Sequence, residues 1–163
     1  MPIDIQTFRE TMGLFPGAVT LITTGHGDLK RGITATAVCS VSDSPPSLLV
    51  CVNRKTGTCC EIARSGQFSV QLLGQDHADV AMAFAGAKGL SGVRKFETGD
   101  WTRCAAGLPR LTNALASISC QVIATTGSGS HSIFIGQIED VAIAEGEALI
   151  YAQSKFQRLA IAS

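Results

Sequence analysis

A chain of 163 residues is long enough for one buried core and too short for two, so one domain over 1–163 with a single site is expected. Thirteen basic residues balance thirteen acidic ones, which leaves no broad cationic surface for nucleic acid or anionic lipid. With 45% hydrophobic and only 16% charged residues, the composition predicts that a second subunit covers part of the surface, making a homodimer.

The opening residues hold no basic stretch leading into an apolar segment with a small-residue cleavage site, and no apolar run approaches a membrane span. The expected compartment is the cytoplasm, with no membrane partner. Cys39, Cys51, Cys59, Cys60, Cys104 and Cys120 contain no C-x-x-C pair, and the adjacent Cys59 and Cys60 suit neither tetrahedral zinc nor a relaxed disulfide. Reduced, mostly buried thiols and no metal are expected.

In chain order, Ile5, Phe8, Met12 and Phe15 recur at three- and four-residue steps and predict an amphipathic helix over 5–15, ended by Pro16-Gly17. Residues 18–24 are β-branched and apolar, 25–28 read as a turn, and 32–41 alternate strictly, so a hairpin is predicted. In its second arm Ile33, Ala35, Ala37, Cys39 and Val41 share one face, leaving Thr34, Thr36, Val38 and Ser40 on the other. Ser44-Pro45-Pro46 breaks the chain, and the continuous apolar run 48–52 predicts a strand buried on both faces. Thr58 with Glu61 predicts a capping box for a short helix through Ala63, closed by Gly66, and 68–73 returns to strand. Residues 76–85 read as a helix, and 86–99, rich in glycine and charge, as an irregular excursion or mobile flap. Three strands, 116–125, 132–144 and 148–152, follow between glycine-bearing turns at 127–129 and 145–147. Many short strands with few helices predict a mainly β barrel, and the scattered glycines lack the G-x-G-x-x-G pattern of a dinucleotide fold.

Residues 34–55 place a hydroxyl-lined strand beside a buried one and then deliver Asn53, Arg54, Lys55, Thr56 and Thr58 around a helix start. Free N–H groups there, with threonine hydroxyls and two cations, would hold an anion, and strand edges would hydrogen-bond a planar heterocycle. Taken alone, these residues fit better as ordinary strand positions, a helix cap and a solvated charge pair.

The run from Gly32 through Ile33-Thr34-Ala35-Thr36-Ala37, Ser44-Pro45-Pro46 and Leu48-Leu49-Val50-Cys51-Val52 to Asn53 resembles the signature of the short flavin reductases that serve two-component monooxygenases. The likeness extends through Phe8-Arg9, the strand 68–73, Phe84-Ala85-Gly86, Lys95-Phe96, the stretch from Gly129 through His131 to Gly136, and Leu149-Ile150-Tyr151, nearly the whole chain. The resemblance implies an FMN-binding split β-barrel with a few short helices, a homodimer with flavin near its interface, and reduction of FMN, or FAD, by NADH or NADPH. A separate oxygenase component would receive the reduced flavin. By the same resemblance Thr34, Ala35, Thr36 and Ala37 lie along the isoalloxazine, and Ser40 and Val41 touch it. Cys51, Val52 and Asn53 reach the ring or ribityl chain, and Lys55, Thr56 and Thr58 hold the phosphate. His131 becomes the chief active-site side chain, near flavin and nicotinamide, although Ser130 stands where many relatives carry aspartate or threonine. Phe156, paired with Tyr151, covers the flavin or nicotinamide or packs in the core or interface.

Two further functions stay open on sequence alone. Corrinoid reductases look similar in these motifs and would keep FMN bound while passing electrons to cobalt. Split barrels can also hold FMN without turnover, and loss of His131 would leave such a module intact.

Overall fold

The computed structural model describes residues 1–162. Asp4 caps the first helix by accepting the Thr7 N–H at 2.9 Å, and α1 (Ile5–Gly13) ends two residues short of the predicted boundary. None of its side chains is buried. The short β1 (Gly17–Ala18) leads to β2 (Thr20–Thr24). The predicted turn that follows contains a 3-10 segment, Gly27–Leu29.

The alternating run over 32–41 is not one strand. It divides into β3 (Arg31–Ala35) and β4 (Val38–Asp43), because the Val38 N–H closes on the Thr36 carbonyl at 2.9 Å in a three-residue turn. That turn shifts the alternation by one residue. Ile33, Ala35 and Val38 pack against the core, whereas Cys39 and Val41 are exposed.

The next strand, β5 (Pro46–Asn53), buries Leu48, Val50 and Val52 on one face but leaves Leu49, Cys51 and Asn53 only half-buried on the other. The strand covered on both faces is β2, all of whose residues are buried. Its hydroxyls find partners: Thr20 donates to the Ala35 carbonyl and Thr24 to that of Gln67, each at 2.6 Å.

The α2 helix (Gly57–Ser65) is capped by Thr56, not Thr58, since the Thr56 hydroxyl accepts the Cys59 N–H at 3.2 Å. Thr58 lies inside the first turn and is buried, and Glu61 pairs with Arg64 instead of completing a box. Gly66, at φ +70°, ends the helix in the left-handed conformation. Then follow β6 (Gln67–Leu72), a 3-10 turn at Gln75–His77 and α3 (Ala78–Phe84).

The glycine-rich excursion is anchored, contrary to the flap expectation. A 3-10 segment, Gly92–Glu97, buries Phe96 against Phe84 and Trp101, with ring centroids 5.0 and 4.8 Å away, and Lys95 ties it to two backbone carbonyls. The small hairpin of β7 (Trp101–Arg103) and β8 (Pro109–Leu111) follows, then β9 (Ala116–Ser128), β10 (His131–Ile143), β11 (Ile150–Ala152) and β12 (Lys155–Gln157).

Seven strands form one antiparallel sheet in the order β3-β2-β6-β9-β10-β5-β4. Although β3 and β4 are separated by only Thr36 and Ala37, they stand at opposite ends of that order, so the sheet curls until its edges meet at this corner. The inside holds Ile22, Val50, Val52, Phe68 and Phe134, closed by Cys59 and Ile62 of α2. Outside β2, a second cluster joins Leu21 and Leu73 to Phe84 of α3, with Phe96 and Leu111. Of the cysteines, Cys59, Cys104 and Cys120 are buried, Cys51 is half-buried, and Cys39 and Cys60 are exposed, fewer buried thiols than expected. Among the described residues no helix is long and apolar enough to cross a membrane.

Candidate active site at the barrel seam

Pairing between β4 and β5 begins at Val38 opposite Val50, so the last residues of β5 run on beyond their edge partner. There the Cys51 N–H reaches the Ala37 carbonyl at 3.1 Å, and a cleft of about 620 Å³ opens beside the corner. Its volume falls in the usual range for small-ligand sites.

The cleft gathers most of the residues selected from sequence. Thr34, Ala35, Thr36 and Ala37 form one wall, Cys51 and Asn53 enter from β5, Thr56 from the start of α2, His131 from β10 and Phe156 from β12. Five others do not line it. Val52 is fully buried in the core and Thr58 is buried in α2. Ser40 and Val41 are exposed along β4, and Lys55 is exposed in the turn before α2.

Several lining groups have their polarity set by partners in the protein. Thr34 donates its hydroxyl to the Ala81 carbonyl at 2.5 Å, binding β3 to α3 and leaving only oxygen lone pairs for a ligand. Asn53 accepts the Lys55 N–H on its Oδ1 at 2.9 Å, which leaves its amide NH2 uncommitted by that bond. The Thr56 hydroxyl donates to the Asn53 carbonyl at 2.7 Å while capping α2, whose first N–H groups lack intrahelical acceptors.

His131 opens β10 after the two-residue turn Gly129-Ser130, with Gly129 at φ +53°. Its Nδ1 is 2.8 Å from the Ser130 hydroxyl, so serine supplies a partner for the ring. Arg54, expected beside Lys55 in an anion site, instead secures this hairpin: its guanidinium donates to the Gly129 carbonyl at 3.1 Å and the Ser132 hydroxyl at 3.3 Å. The backbone N–H of Arg54 adds a bond to the Ser130 carbonyl at 3.0 Å.

The motifs carry no binding role for the remaining walls: Val19, Ile33, Met82, Phe84, Lys95 and Tyr151, with Ala81 and Ala85 beside them. Phe84-Ala85-Gly86, Lys95-Phe96 and Tyr151 were visible as motif elements, but only the folded chain brings them to the cleft. Tyr151 and Phe156 meet edge to face with centroids 5.7 Å apart and stay partly exposed, presenting an aromatic surface. Among the described residues Lys95 is the only lysine or arginine on the lining. The whole is an apolar slot with a few fixed donors and acceptors, suited to a flat heterocycle with a polar tail.

The chain belongs to the family described as "Flavin reductase like domain", whose model matches residues 12–160. It is 39% identical over 160 residues to an FMN reductase (NADH), RutF, of Methylorubrum populi, covering 98% of this chain and 78% of that protein. It is 38% identical over 155 residues to the 4-hydroxyphenylacetate 3-monooxygenase reductase component of Pseudomonas aeruginosa, covering 94% and 91% respectively. The structure of the flavin reductase PheA2 superposes with a TM-score of 0.88 at 34% identity, covering 98% of this chain and 100% of that one. The mainly β barrel and the resemblance read from the motifs are thus both borne out.

Proposed function

We propose that this chain is an NAD(P)H-dependent flavin reductase that transfers hydride from nicotinamide to FMN, with FAD as the alternative flavin, and supplies reduced flavin to a separate oxygenase component. The observation that carries this reading is the seam cleft, where one strand wall, an aromatic pair, a helix start and His131 converge. Relatives named as an NADH-dependent FMN reductase and as a monooxygenase reductase component support the reaction and the type of partner.

The lining fits the group. The wall from Thr34 to Ala37 would hold the tricyclic ring, Tyr151 and Phe156 would offer it an aromatic surface, and the start of α2 with Thr56 would take the tail. When bound, flavin supplies the redox chemistry by accepting hydride at N5. The protein's part is orientation and electrostatics. Thr34, held by Ala81, and Asn53, held by Lys55, keep fixed acceptor and donor positions. His131 lines the cleft and is engaged at Nδ1 by the Ser130 hydroxyl; with that hydroxyl donating to Nδ1, the ring proton sits on Nε2, which is then the donor for charge that develops during reduction.

The reading includes a cytoplasmic homodimer. The free cysteines support a reducing compartment. The apolar stripe of α1, with Ile5, Phe8, Met12 and the following Phe15 all exposed, supports a covering subunit, since a nine-residue helix gains little stability without packing.

The test is to follow NADH and NADPH absorbance anaerobically with catalytic protein and excess free FMN or FAD. Stoichiometric reduction of the excess flavin is expected. Flavin binding without nicotinamide oxidation would identify a binding module, and turnover that appears only with a cobalamin acceptor would identify a corrinoid reductase.

A further inference from the structure

The charge on the cleft wall comes from Lys95, a residue to which the motifs assign no contact with a ligand. Lys95 stands in the 3-10 segment Gly92–Glu97, and its ammonium donates to the Phe84 carbonyl at 2.9 Å and the Gly32 carbonyl at 3.1 Å. An ammonium carries three N–H donors, so one is left for the cleft that Lys95 lines. Among the described residues it has no carboxylate partner: the ion pairs are Arg64–Glu61, Lys88–Asp79, Arg94–Glu97 and Arg110–Asp140. A half-buried cation held only by neutral carbonyls lacks its counter-charge.

The cleft also has a direction. Gly32, which Lys95 holds, is followed along the wall by Thr34 to Ala37, and Thr36 packs against Gly17 near the aromatic hairpin end. Arg31, just before Gly32, lies over Gly57 at the start of α2, where a Cβ would come within 3.3 Å of Arg31 Cδ and Nε. Lys95 and the helix start, with Thr56, therefore occupy one end of the wall, and Tyr151 and Phe156 the other. Glu61 also feels the Arg31 charge, but both its oxygens are taken by Arg64. A slot cationic at one end and aromatic at the other is complementary to a mononucleotide with a phosphate at one end and a flat ring at the other.

Building on the flavin reading, we infer that Lys95 is the counter-ion of the bound flavin's phosphate, the role that sequence reasoning gave to Lys55. The third N–H makes a charge-assisted bond to a phosphate oxygen while the other two keep the ammonium on β3 and α3. Riboflavin, which has the same ring without the phosphate, does not use this contact.

The test compares FMN and riboflavin affinities by flavin fluorescence for wild type, Lys95→Met and Lys95→Gln, with thermal unfolding alongside. Glutamine keeps donors for the backbone carbonyls but removes the charge, so it separates the counter-ion role from the structural one. Both variants are expected to lose FMN affinity by about 10- to 100-fold while riboflavin affinity changes little. An FMN-to-riboflavin affinity ratio like that of wild type in Lys95→Gln would overturn the assignment while leaving the proposed function intact. Wild type that binds neither flavin would overturn the proposed function and this assignment together.

Discussion

His131 owes its place to a turn that other residues fasten, since Arg54 binds the Gly129 carbonyl and the Ser132 hydroxyl and Ser130 holds the ring at Nδ1. His131→Ala is therefore expected to lower kcat by about a hundredfold while changing the FMN Kd little, as measured by anaerobic steady-state kinetics and flavin titration. The two threonines at α2 separate a cap from a packed residue. Thr56→Ala removes the cap and should cost about 1 kcal/mol of stability along with weaker FMN binding, checked by denaturant unfolding and titration. Thr58→Ala should affect packing without a matching loss of FMN affinity, because its side chain is buried away from the cleft.

His77 adds a pH dependence of another kind. Its Nδ1 accepts the Gly74 N–H at 3.1 Å, and burial pushes its pKa below the usual 6.5 against the opposing pull of Asp76. The unfolded chain then takes up a proton at a higher pH than the folded one. The contribution is fully present above pH 6.5 and is lost as pH falls from there through the folded-state value. Thermal midpoints should drop across that window in wild type and less steeply in His77→Gln.

At the scale of elements, Gly136 and Gln71 carry more than a strand pattern reveals. A Cβ at Gly136 would meet Cys120 Cβ and the Phe68 ring at 2.6 Å, beside a register shift between Ile135 and Gly136. Gly136→Ala should cost about 1–3 kcal/mol by forcing that interior apart, measurable by urea unfolding. Gln71, fully buried, imitates a strand edge: its amide donates to the Pro109 carbonyl at 3.0 Å and its oxygen accepts the Leu111 N–H at 3.2 Å. Gln71→Ala removes both bonds, taking this acceptor from the Leu111 N–H and leaving the Pro109 carbonyl with only the Thr23 hydroxyl at 3.5 Å, so the β7–β8 hairpin should exchange its amide hydrogens faster than the barrel strands. The sequence displayed β6, β9, β10 and the Gly66 stop plainly, because alternation and a left-handed glycine are local signals. It concealed the break at Thr36-Ala37, since both residues continue the strand alternation and the turn is fixed by where β4 must pair.

At the scale of the whole molecule, the exposed stripe of α1 and the open end of β10, with Val141 and Ile143, leave apolar surface that a second copy would cover. Phe8→Asp places a charge in that stripe, where the monomer itself buries nothing of the helix. It should shift a dimer toward monomer in size-exclusion chromatography with light scattering, without unfolding the barrel. A wild-type chain already monomeric at micromolar concentration would remove the homodimer from the proposed function.

The amino-acid sequence already held the β content, most strand positions, the family likeness, and the residues from Thr34 to Ala37, Cys51, Asn53, Thr56, His131 and Phe156 that reach the cleft. Those follow from period-two alternation, turn chemistry and local motif, all written within a few neighbouring residues. The closed sheet alone decided that β2 is the doubly buried strand, that Arg54 fastens a hairpin and that Lys95 faces the cleft. Each depends on which distant strands become neighbours, and that is fixed by closure of the barrel around its side chains.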